Sequence, residues 1–292
     1  MRHRGRPDYD TFSSLDTAPQ EIHQRGFRHL LHRQERKMNA GPGRIRFFAT
    51  AGEAAGENFH GAVVVVIDVL RATSTILAAL DNGAARVLPV ESIETATRLV
   101  SLSERGDKLL AGEQKGMPIE GFDLFNSPSE MESEAVAGRT IILATSNGTP
   151  AIAAAASRAG RLIVCSILNV GAVAGEVSGS GDLVIICSGS NGRVAGEDFL
   201  CAGLLLEALS PPADVSTLVD SAALALLLAE RYGDDIEEYM RTTDRGRQLI
   251  RLGYGKDISY CSRRDSSRRV PELLQGVIGP EAGGVSRKKR HA

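Results

Sequence analysis

The sequence is poor in residues that several common kinds of site require. Its 292 residues contain no tryptophan and only 4% aromatic residues, so a stacking surface for single-stranded nucleic acid is not expected. None of the four cysteines form a C-x-x-C pair, which argues against a structural zinc site. The net charge of −2 is too small to indicate binding to nucleic acid or to an acidic membrane surface.

Histidine is scarce where a site would need it. Of the six histidines, only His60 lies within the globular sequence pattern, so a phosphohistidine enzyme or a multi-histidine metal site is not expected. Acid, amide and hydroxyl oxygens must then be the ligands, and these favour Mg²⁺, Mn²⁺ or Ca²⁺. We see no signal peptide and no apolar run of membrane-spanning length, so we expect a cytoplasmic protein that does not enter a membrane.

Residues 1–40 differ in composition from the rest of the chain. Eight Arg and Lys residues stand there against five acids, and apolar periodicity is weak. We interpret this stretch as a disordered basic extension, with Met38 as a candidate start codon. Residues 41–280 are predicted to form a single α/β domain, and residues 281–292 a flexible tail.

Short apolar segments alternate with helical patterns from Ile45 onward. Strands are predicted at 44–48, 62–67, 86–90, 108–111, 140–144, 162–166 and 183–187. Helices are predicted near 73–82, 92–105, 197–209, 220–232 and 235–252. Residues 114–130 are predicted to be an ordered loop. This alternation favours a three-layer α/β/α fold around a mixed, largely parallel sheet.

Residues 62–80 are the most informative stretch. A continuous apolar run predicts a strand buried on both faces, which ends at Asp68. Arg71 and the hydroxyls of residues 73–75 follow where a helix begins. Ligands of α/β folds bind beyond the carboxyl ends of strands, and helix N-termini attract anions. The pattern indicates a phosphorylated or sulfonated substrate with a metal. Alternatively, Asp68 only caps the helix and pairs with Arg71.

Polar residues follow four other predicted strands as well. They are Glu113, the group Ser146, Asn147 and Thr149, then Asn169, and the turn 188–193. In a parallel sheet these clusters would converge on one edge, although each alone is also typical of helix capping. Glu197 and Asp198 open the next helix, where acids favour the helix dipole. Either acid could instead bind a cation or act as a base.

Cys187 and Arg193 have the C-x5-R spacing of cysteine phosphatases, in which a thiolate attacks phosphorus. Here Ile186 stands where those enzymes carry histidine, and Val194 follows the arginine. A cysteine at the end of a buried strand more often acts as a small hydrophobic residue. Leu70 breaks the D-x-D pattern of haloacid dehalogenase-type phosphatases, and no G-x-G-x-x-G fingerprint follows a strand.

Several separated motifs resemble the 2-phosphosulfolactate phosphatase family. They are IDVLRATST at 67–75, GFDLFNSP at 121–128, TSNGT at 145–149, the glycine-acid run 187–203 and the segment 252–271. Phe125 stands where a smaller residue is expected. The resemblance covers about residues 45–280. It implies an α/β/α fold and a Mg²⁺-dependent phosphatase that converts 2-phospho-3-sulfolactate, or a related 2-hydroxycarboxylate phosphate ester, to the alcohol and phosphate.

From the residues we infer a role for each part of such a site. The predicted Mg²⁺ ligands are Asp68, Glu113 and Asp123. The predicted substrate-binding side chains are Arg71, Thr73, Asn126, Asn147, Thr149 and Arg193. The predicted catalytic residues are Asp68, Glu197 and Asp198, of which Glu197 or Asp198 orients water or protonates the leaving alkoxide. A cysteine-dependent phosphatase and a non-catalytic anion-binding protein are the alternatives. A homodimer is compatible with the composition.

Overall fold

This computed structural model describes residues 42–102, 106–209 and 218–279, where most neighbouring strands pair in parallel. The predicted extension 1–40 with Met38, and the predicted tail 281–292, lie outside the described residues. The strands are β1 (Ile45–Phe48), β2 (Phe59–Ile67), β3 (Arg86–Val90), β4 (Lys108–Gly112), β5 (Leu124–Phe125), β6 (Thr140–Ala144), β7 (Ala159–Cys165), β8 (Leu183–Cys187), β9 (Leu273–Leu274) and β10 (Val277–Ile278).

Helices connect most of these strands. They are α1 (Ala72–Asp81), α2 (Ile93–Ser101), α3 (Ser133–Val136), α4 (Gly148–Ala156), α5 (Val170–Val177), α6 (Gly196–Ala208), α7 (Asp220–Tyr232), α8 (Ile236–Thr242), α9 (Asp244–Arg251) and α10 (Gly255–Cys261), with 3₁₀ turns at Pro128–Glu130 and Ile167–Asn169. The single helix predicted over 235–252 is wrong. Thr243 has extended backbone and its side chain accepts from the Gly246 N–H, so a new helix starts there.

The strands are divided between two sheets. The parallel sheet has the order β1-β8-β2-β7. The mixed sheet has the order β5-β4-β6-β3-β10-β9. Its strands from β5 to β3 pair in parallel, whereas β10 pairs antiparallel with both β3 and β9. The central strand β2 reads as a continuous apolar run because side chains on both of its faces are buried.

Alternate residues of β2 show how the layers are arranged. Val65 and Ile67 pack toward α5–α10, whereas Val64 and Val66 pack toward α1 and α4. Helices therefore cover both faces of the parallel sheet, which confirms the predicted three-layer α/β/α architecture. The middle helices α1 and α4 also pack on the mixed sheet, whose far face is covered by α2. Each fully buried aliphatic side chain contributes about 1.5–3 kcal/mol to this packing.

The two sheets bring their carboxyl edges together at the start of α4. A Cβ atom on Gly148 would lie 2.6 Å from Asp68 Oδ2 and 2.4 Å from Ala72 Cβ, so only glycine fits between the β6 turn and the β2 turn. Polar residues after β2, β8, β4 and β6 thus come to two adjoining edges. Among the helices of the described ranges, none combines the length and the apolar character needed to span a bilayer.

Candidate active site

Asp68 lies at the carboxyl end of β2, where the chain turns into α1. The turn is closed by Thr73, whose hydroxyl donates to the Asp68 carbonyl at 2.7 Å and accepts from the Asp68 N–H at 3.2 Å. Asp68 Oδ1 accepts from the Ala72 N–H at 3.0 Å. Its other oxygen, Oδ2, accepts no hydrogen bond from the residues described, so the carboxylate has one oxygen available for a ligand.

The surroundings of Asp68 favour its protonated form. Burial raises the pKa of Asp68 to about 6, the charges of Glu113 and Glu197 act in the same direction, and the Ala72 N–H and Arg245 oppose them. A carboxyl group that titrates near neutral pH and faces other acids is a typical feature of catalytic sites.

Asp198 holds two strand ends together. Its Oδ1 accepts from the Val69 N–H at 2.8 Å, and its Oδ2 accepts from the Gly189 N–H at 3.1 Å. The carboxylate thereby joins the turn after β2 to the turn after β8. Burial, together with Asp68 and Glu197, raises the pKa of Asp198 well above its usual value. Since both oxygens are occupied, its geometry suits positioning better than direct contact with substrate.

Glu197 lies beside Asp198 in the first turn of α6. It is 2% exposed, and its Oε2 has no hydrogen-bond partner within the described ranges. Burial is the main reason that its pKa is raised, and Arg245 acts against it. An unpaired buried carboxyl oxygen is costly unless a proton or a cation satisfies it, so Glu197 suits either a proton donor or a metal ligand.

Glu113 follows β4 and shapes the loop that leads to β5 in the mixed sheet. Its Oε1 accepts from the Ser146 N–H at 2.7 Å, and its Oε2 accepts from the Gly116 N–H at 2.5 Å. The residue also lines a cleft of about 340 Å³ at the edge of the mixed sheet. The cleft is lined by residues 91–94, 113–115 and 144–146, and by Pro150 and Asn191.

The predicted metal ligands do not form a single group. Asp123 is exposed, and its Oδ2 accepts from the Leu110 N–H at 2.8 Å. In residues 42–102, 106–209 and 218–279, no three His, Cys, Asp or Glu side chains are arranged to hold a metal ion. The predicted ligand set of Asp68, Glu113 and Asp123 is therefore not seen as one cluster in these ranges, and it stays a prediction. Mg²⁺, however, is usually held by only one or two carboxylates and the substrate phosphate, and Asp68 and Glu197 supply two oxygen donors of that kind.

Arg71 is fully buried behind the β2 turn. Its Nη1 donates to Asp257 Oδ2 at 2.5 Å, and its guanidinium stacks on the rings of Phe125 and Tyr254. The other carboxylate oxygen of Asp257 accepts from the hydroxyls of Ser127 and Ser129. Arg71 Nε and Nη2 have no hydrogen-bond partner in the described part of the chain. The surface pairing of Arg71 with Asp68 considered above is not observed, and Asp257 is a partner that the sequence did not indicate.

The other predicted substrate-binding residues fall into two groups. Thr73 and Thr149 close their own turns, since the Thr149 hydroxyl accepts from the Thr145 N–H at 2.9 Å. Asn147 Oδ1 accepts from the Asn191 N–H at 3.2 Å and so links the turns after β6 and β8. Two other side chains are more available to bind a substrate. Arg193 is exposed, and the buried Oδ1 of Asn126 lacks a hydrogen-bond partner among the described residues.

Asn169 caps the turn that follows β7. Its Oδ1 accepts from the Ser166 N–H at 2.8 Å, and its Nδ2 donates to the carbonyl oxygens of Val164 and Arg269.

Cys187 lies at the end of β8 and is completely buried. Burial raises the pKa of its thiol well above the usual value, and the charges of Asp198 and Glu53 act in the same direction. A nucleophilic cysteine needs a lowered pKa and access to substrate. Cys187 and Arg193 have the C-x5-R spacing, but Cys187 does not have the environment of a reactive thiolate. Arg193 lies in an exposed turn.

Arg245 is a candidate that sequence reasoning missed. It lies in the first turn of α9, half-buried, with Nε donating to the Leu70 carbonyl at 3.3 Å and Nη1 donating to Gln248 Oε1 at 2.7 Å. Its charge acts on both Asp68 and Glu197. In the sequence, Arg245 stands in an amphipathic helix rich in charged residues. Arginines in such helices are usually exposed to solvent, so the local sequence does not mark Arg245 as a site residue.

An α/β fold with buried carboxylates at the carboxyl ends of parallel strands defines a ligand-binding site of the kind that enzymes use. A sequence model of the 2-phosphosulpholactate phosphatase family matches residues 49–276. The chain therefore belongs to the 2-phosphosulpholactate phosphatase family.

Curated relatives agree with this assignment. A probable 2-phosphosulfolactate phosphatase of Caldanaerobacter subterraneus subsp. tengcongensis is 42% identical over 216 residues, which is 74% of this chain and 89% of that protein. One of Clostridium perfringens strain SM101 is 38% identical over 250 residues, 84% of this chain and 99% of that protein. One of Thermotoga petrophila is 39% identical over 214 residues, 73% of this chain and 90% of that protein.

Proposed function

We propose that this protein is a Mg²⁺-dependent phosphatase that hydrolyses 2-phospho-3-sulfolactate, or a related 2-hydroxycarboxylate phosphate ester. The observation that carries the proposal is the position of Asp68. It lies where the edges of the two sheets meet, with one carboxylate oxygen available and other buried acids around it. The names of the relatives supply the substrate class.

Hydrolysis of the ester breaks the bond between phosphorus and the alcohol oxygen. The oxygen of a water molecule forms the new bond to phosphorus, and a proton passes to the departing alkoxide. Glu197 suits the role of proton donor because its raised pKa favours the protonated acid. Asp198 keeps Val69 and Gly189 in place beside it. Asn126 and Arg193 are candidates to bind the carboxylate or sulfonate of the substrate.

Asp68 is the residue that we assign to Mg²⁺ binding, while Glu197 keeps the role of proton donor. Asp68 Oδ1 accepts from the Ala72 N–H, which leaves Oδ2 for a ligand, and the charge of the ion would relieve the repulsion between Asp68 and the acids around it. When bound, the ion supplies charge neutralisation and polarisation of the phosphoryl group. The wider ligand set of Asp68, Glu113 and Asp123 stays a prediction from the sequence.

The two alternative functions fit the site less well. A cysteine-dependent mechanism would use Cys187, which is buried and has a raised pKa. A non-catalytic anion-binding protein would gain nothing from Asp68, Glu197 and Asp198 in its site, since carboxylates repel a polyanion unless a cation is bound.

Phosphate release from 2-phosphosulfolactate and from 2-phospholactate, measured with Mg²⁺ and then with excess EDTA, tests the proposal. We expect release that requires Mg²⁺ and that persists within a few-fold in Cys187→Ala. Release that survives EDTA and is lost in Cys187→Ala would favour the cysteine mechanism. No release from either ester would refute the proposed function. The ratio of kcat/KM for the two esters would show which is the better substrate.

A further inference from the structure

Four carboxylates and one guanidinium meet where the two sheets adjoin. Asp68, Glu113, Glu197 and Asp198 are all buried, and the charge of Arg245 acts on both Asp68 and Glu197. A phosphate ester that enters such a site brings two further negative charges. It needs a donor of positive charge that is fixed in place and still reachable from the site.

Other arginines are less suitable for this purpose. Arg71 is 1% exposed, and its Nη1 is bound to Asp257 beneath two aromatic rings. Arg193 extends from an exposed turn whose backbone is closed on Ser190. Arg245 is half-buried, so it combines an anchored side chain with access to the site.

Two contacts anchor the guanidinium of Arg245 between the sheets. Nε donates to the carbonyl of Leu70, two residues after Asp68, and thereby reaches the turn of the parallel sheet. On the mixed-sheet side, a Cβ on Gly116 would lie 3.0 Å from Arg245 Nη1 and 3.1 Å from Gln248 Nε2. Gly116 has a φ of +86°, and its N–H is bound to Glu113. The loop after β4 thus leaves just enough room for this arginine.

We propose that Arg245 is a further catalytic residue, which binds a non-bridging oxygen of the phosphoryl group between Asp68 and Glu197. The proposal rests on the proposed phosphatase function for its substrate. Its central element, a phosphate-binding guanidinium contributed by α9, can be tested without turnover. Gln248 holds the guanidinium plane from the next turn of the same helix and is a positioning residue.

The experiment compares Arg245→Gln and Arg245→Lys with Arg251→Gln, which makes the same exchange at an exposed position of the same helix. The affinity for inorganic phosphate is measured by calorimetry on the purified full chain with Mg²⁺. The kcat and KM for 2-phosphosulfolactate are measured in parallel. Circular dichroism and the melting temperature check that each variant is folded.

We expect Arg245→Gln to weaken phosphate binding about 10- to 100-fold, because a charge-assisted hydrogen bond is lost. We expect Arg245→Lys to recover part of this loss and Arg251→Gln to stay within twofold of wild type. Unchanged phosphate affinity in a folded Arg245→Gln protein would overturn the proposal. If Arg245→Gln does not fold, Arg245→Lys is the test variant, because lysine keeps the charge but not the two-donor geometry. Unchanged phosphate affinity and unchanged kcat in Arg245→Lys would then overturn the proposal.

The same data separate this proposal from the proposed function. A wild-type protein that binds phosphate through Arg245 but releases none from 2-phosphosulfolactate supports the role of Arg245 and refutes the function. A wild-type protein that turns over the ester, with phosphate affinity independent of Arg245, supports the function and refutes the role of Arg245.

Discussion

The turns after β2 and β6 share one pattern of hydrogen bonds, but the side chains at their first positions differ in chemistry. In each, a threonine hydroxyl folds back on the first residue of the turn, Thr73 on Asp68 and Thr149 on Thr145. In each, the first side chain accepts a backbone N–H from the following helix. The β2 turn places a carboxylate at that position and the β6 turn a neutral hydroxyl. The shared hydrogen bonds build the turn, and the extra carboxylate oxygen of Asp68 is what the β2 turn adds for chemistry.

Replacing the first residue of the β2 turn should give the largest effect. Asp68→Asn keeps an oxygen for the Ala72 N–H and removes the charge, so we expect kcat/KM to fall about 1,000-fold or more while the fold is kept. Phosphate release measures the loss of activity, and the circular dichroism spectrum checks that the fold is kept. Activity within tenfold of wild type would show that the two turns are chemically equivalent.

The same variant should be more stable than wild type at neutral pH. In metal-free protein the pKa of Asp68 is raised from 3.8 to about 6 by burial, so the folded state holds its proton more tightly than the unfolded state. The stabilisation by protonated Asp68 is present in full below about pH 4 and is lost as the pH rises through about 6. We expect Asp68→Asn to exceed wild type by up to about 3 kcal/mol at pH 7.

Urea unfolding at several pH values, with EDTA present, measures this difference in the free energy of unfolding. A gap that widens as the pH falls from 7 to 4 would contradict the assigned direction of the Asp68 pKa.

The contact between the two turns can be disturbed without changing either first residue. Gly148→Ala would place a methyl group 2.6 Å from Asp68 Oδ2 and 2.4 Å from Ala72 Cβ. We expect it to cost about 1–3 kcal/mol of stability and to reduce activity, because Asp68 must shift.

Gly175→Ala is the matched control, since a Cβ there meets no described atom within 4 Å. It should be neutral or stabilise α5 by about 0.5–1 kcal/mol. Equal effects of the two exchanges on activity would mean that the close approach to Asp68 is unimportant.

The smallest effect is expected at the first residue of the β6 turn. Thr145→Val removes the hydroxyl that accepts from the Thr149 N–H, so a buried donor is left unpaired at a cost of about 1–3 kcal/mol. We expect kcat/KM to fall by less than tenfold. Thermal unfolding and phosphate release check the prediction, and an activity loss as large as that of Asp68→Asn would refute the division of roles.

Local patterns were sufficient to predict much of the fold. The apolar runs of β2 and β8 predict strands buried on both faces, and the polar residues that follow them predict a site at the carboxyl edge. The division into two sheets was not predictable, because it depends on which strands are neighbours rather than on the pattern within each strand. β9 and β10 have two residues each, which is too short to give any periodicity.

Site residues could be predicted only where the local sequence marks their position in the fold. Asp68 and Glu197 stand at recognisable strand and helix ends. Asp257 and Arg245 were missed because their partners, Arg71 and Leu70, lie 186 and 175 residues away in the sequence. Asp123 is the reverse case: its motif is recognisable, but the structure shows its carboxylate accepting from the Leu110 N–H of β4, and its role as a metal ligand stays a prediction.

The ion pair between Arg71 and Asp257 also has a consequence for how the chain folds during synthesis. Arg71 leaves the ribosome 186 residues before its acid. Until Asp257 emerges, burial of the guanidinium beside the nascent β2 turn would leave a charge unpaired in an apolar setting, which is strongly unfavourable. At about 5–20 residues per second, that interval lasts roughly ten to forty seconds. The parallel sheet can assemble in that time, but the site behind Asp68 can close only late.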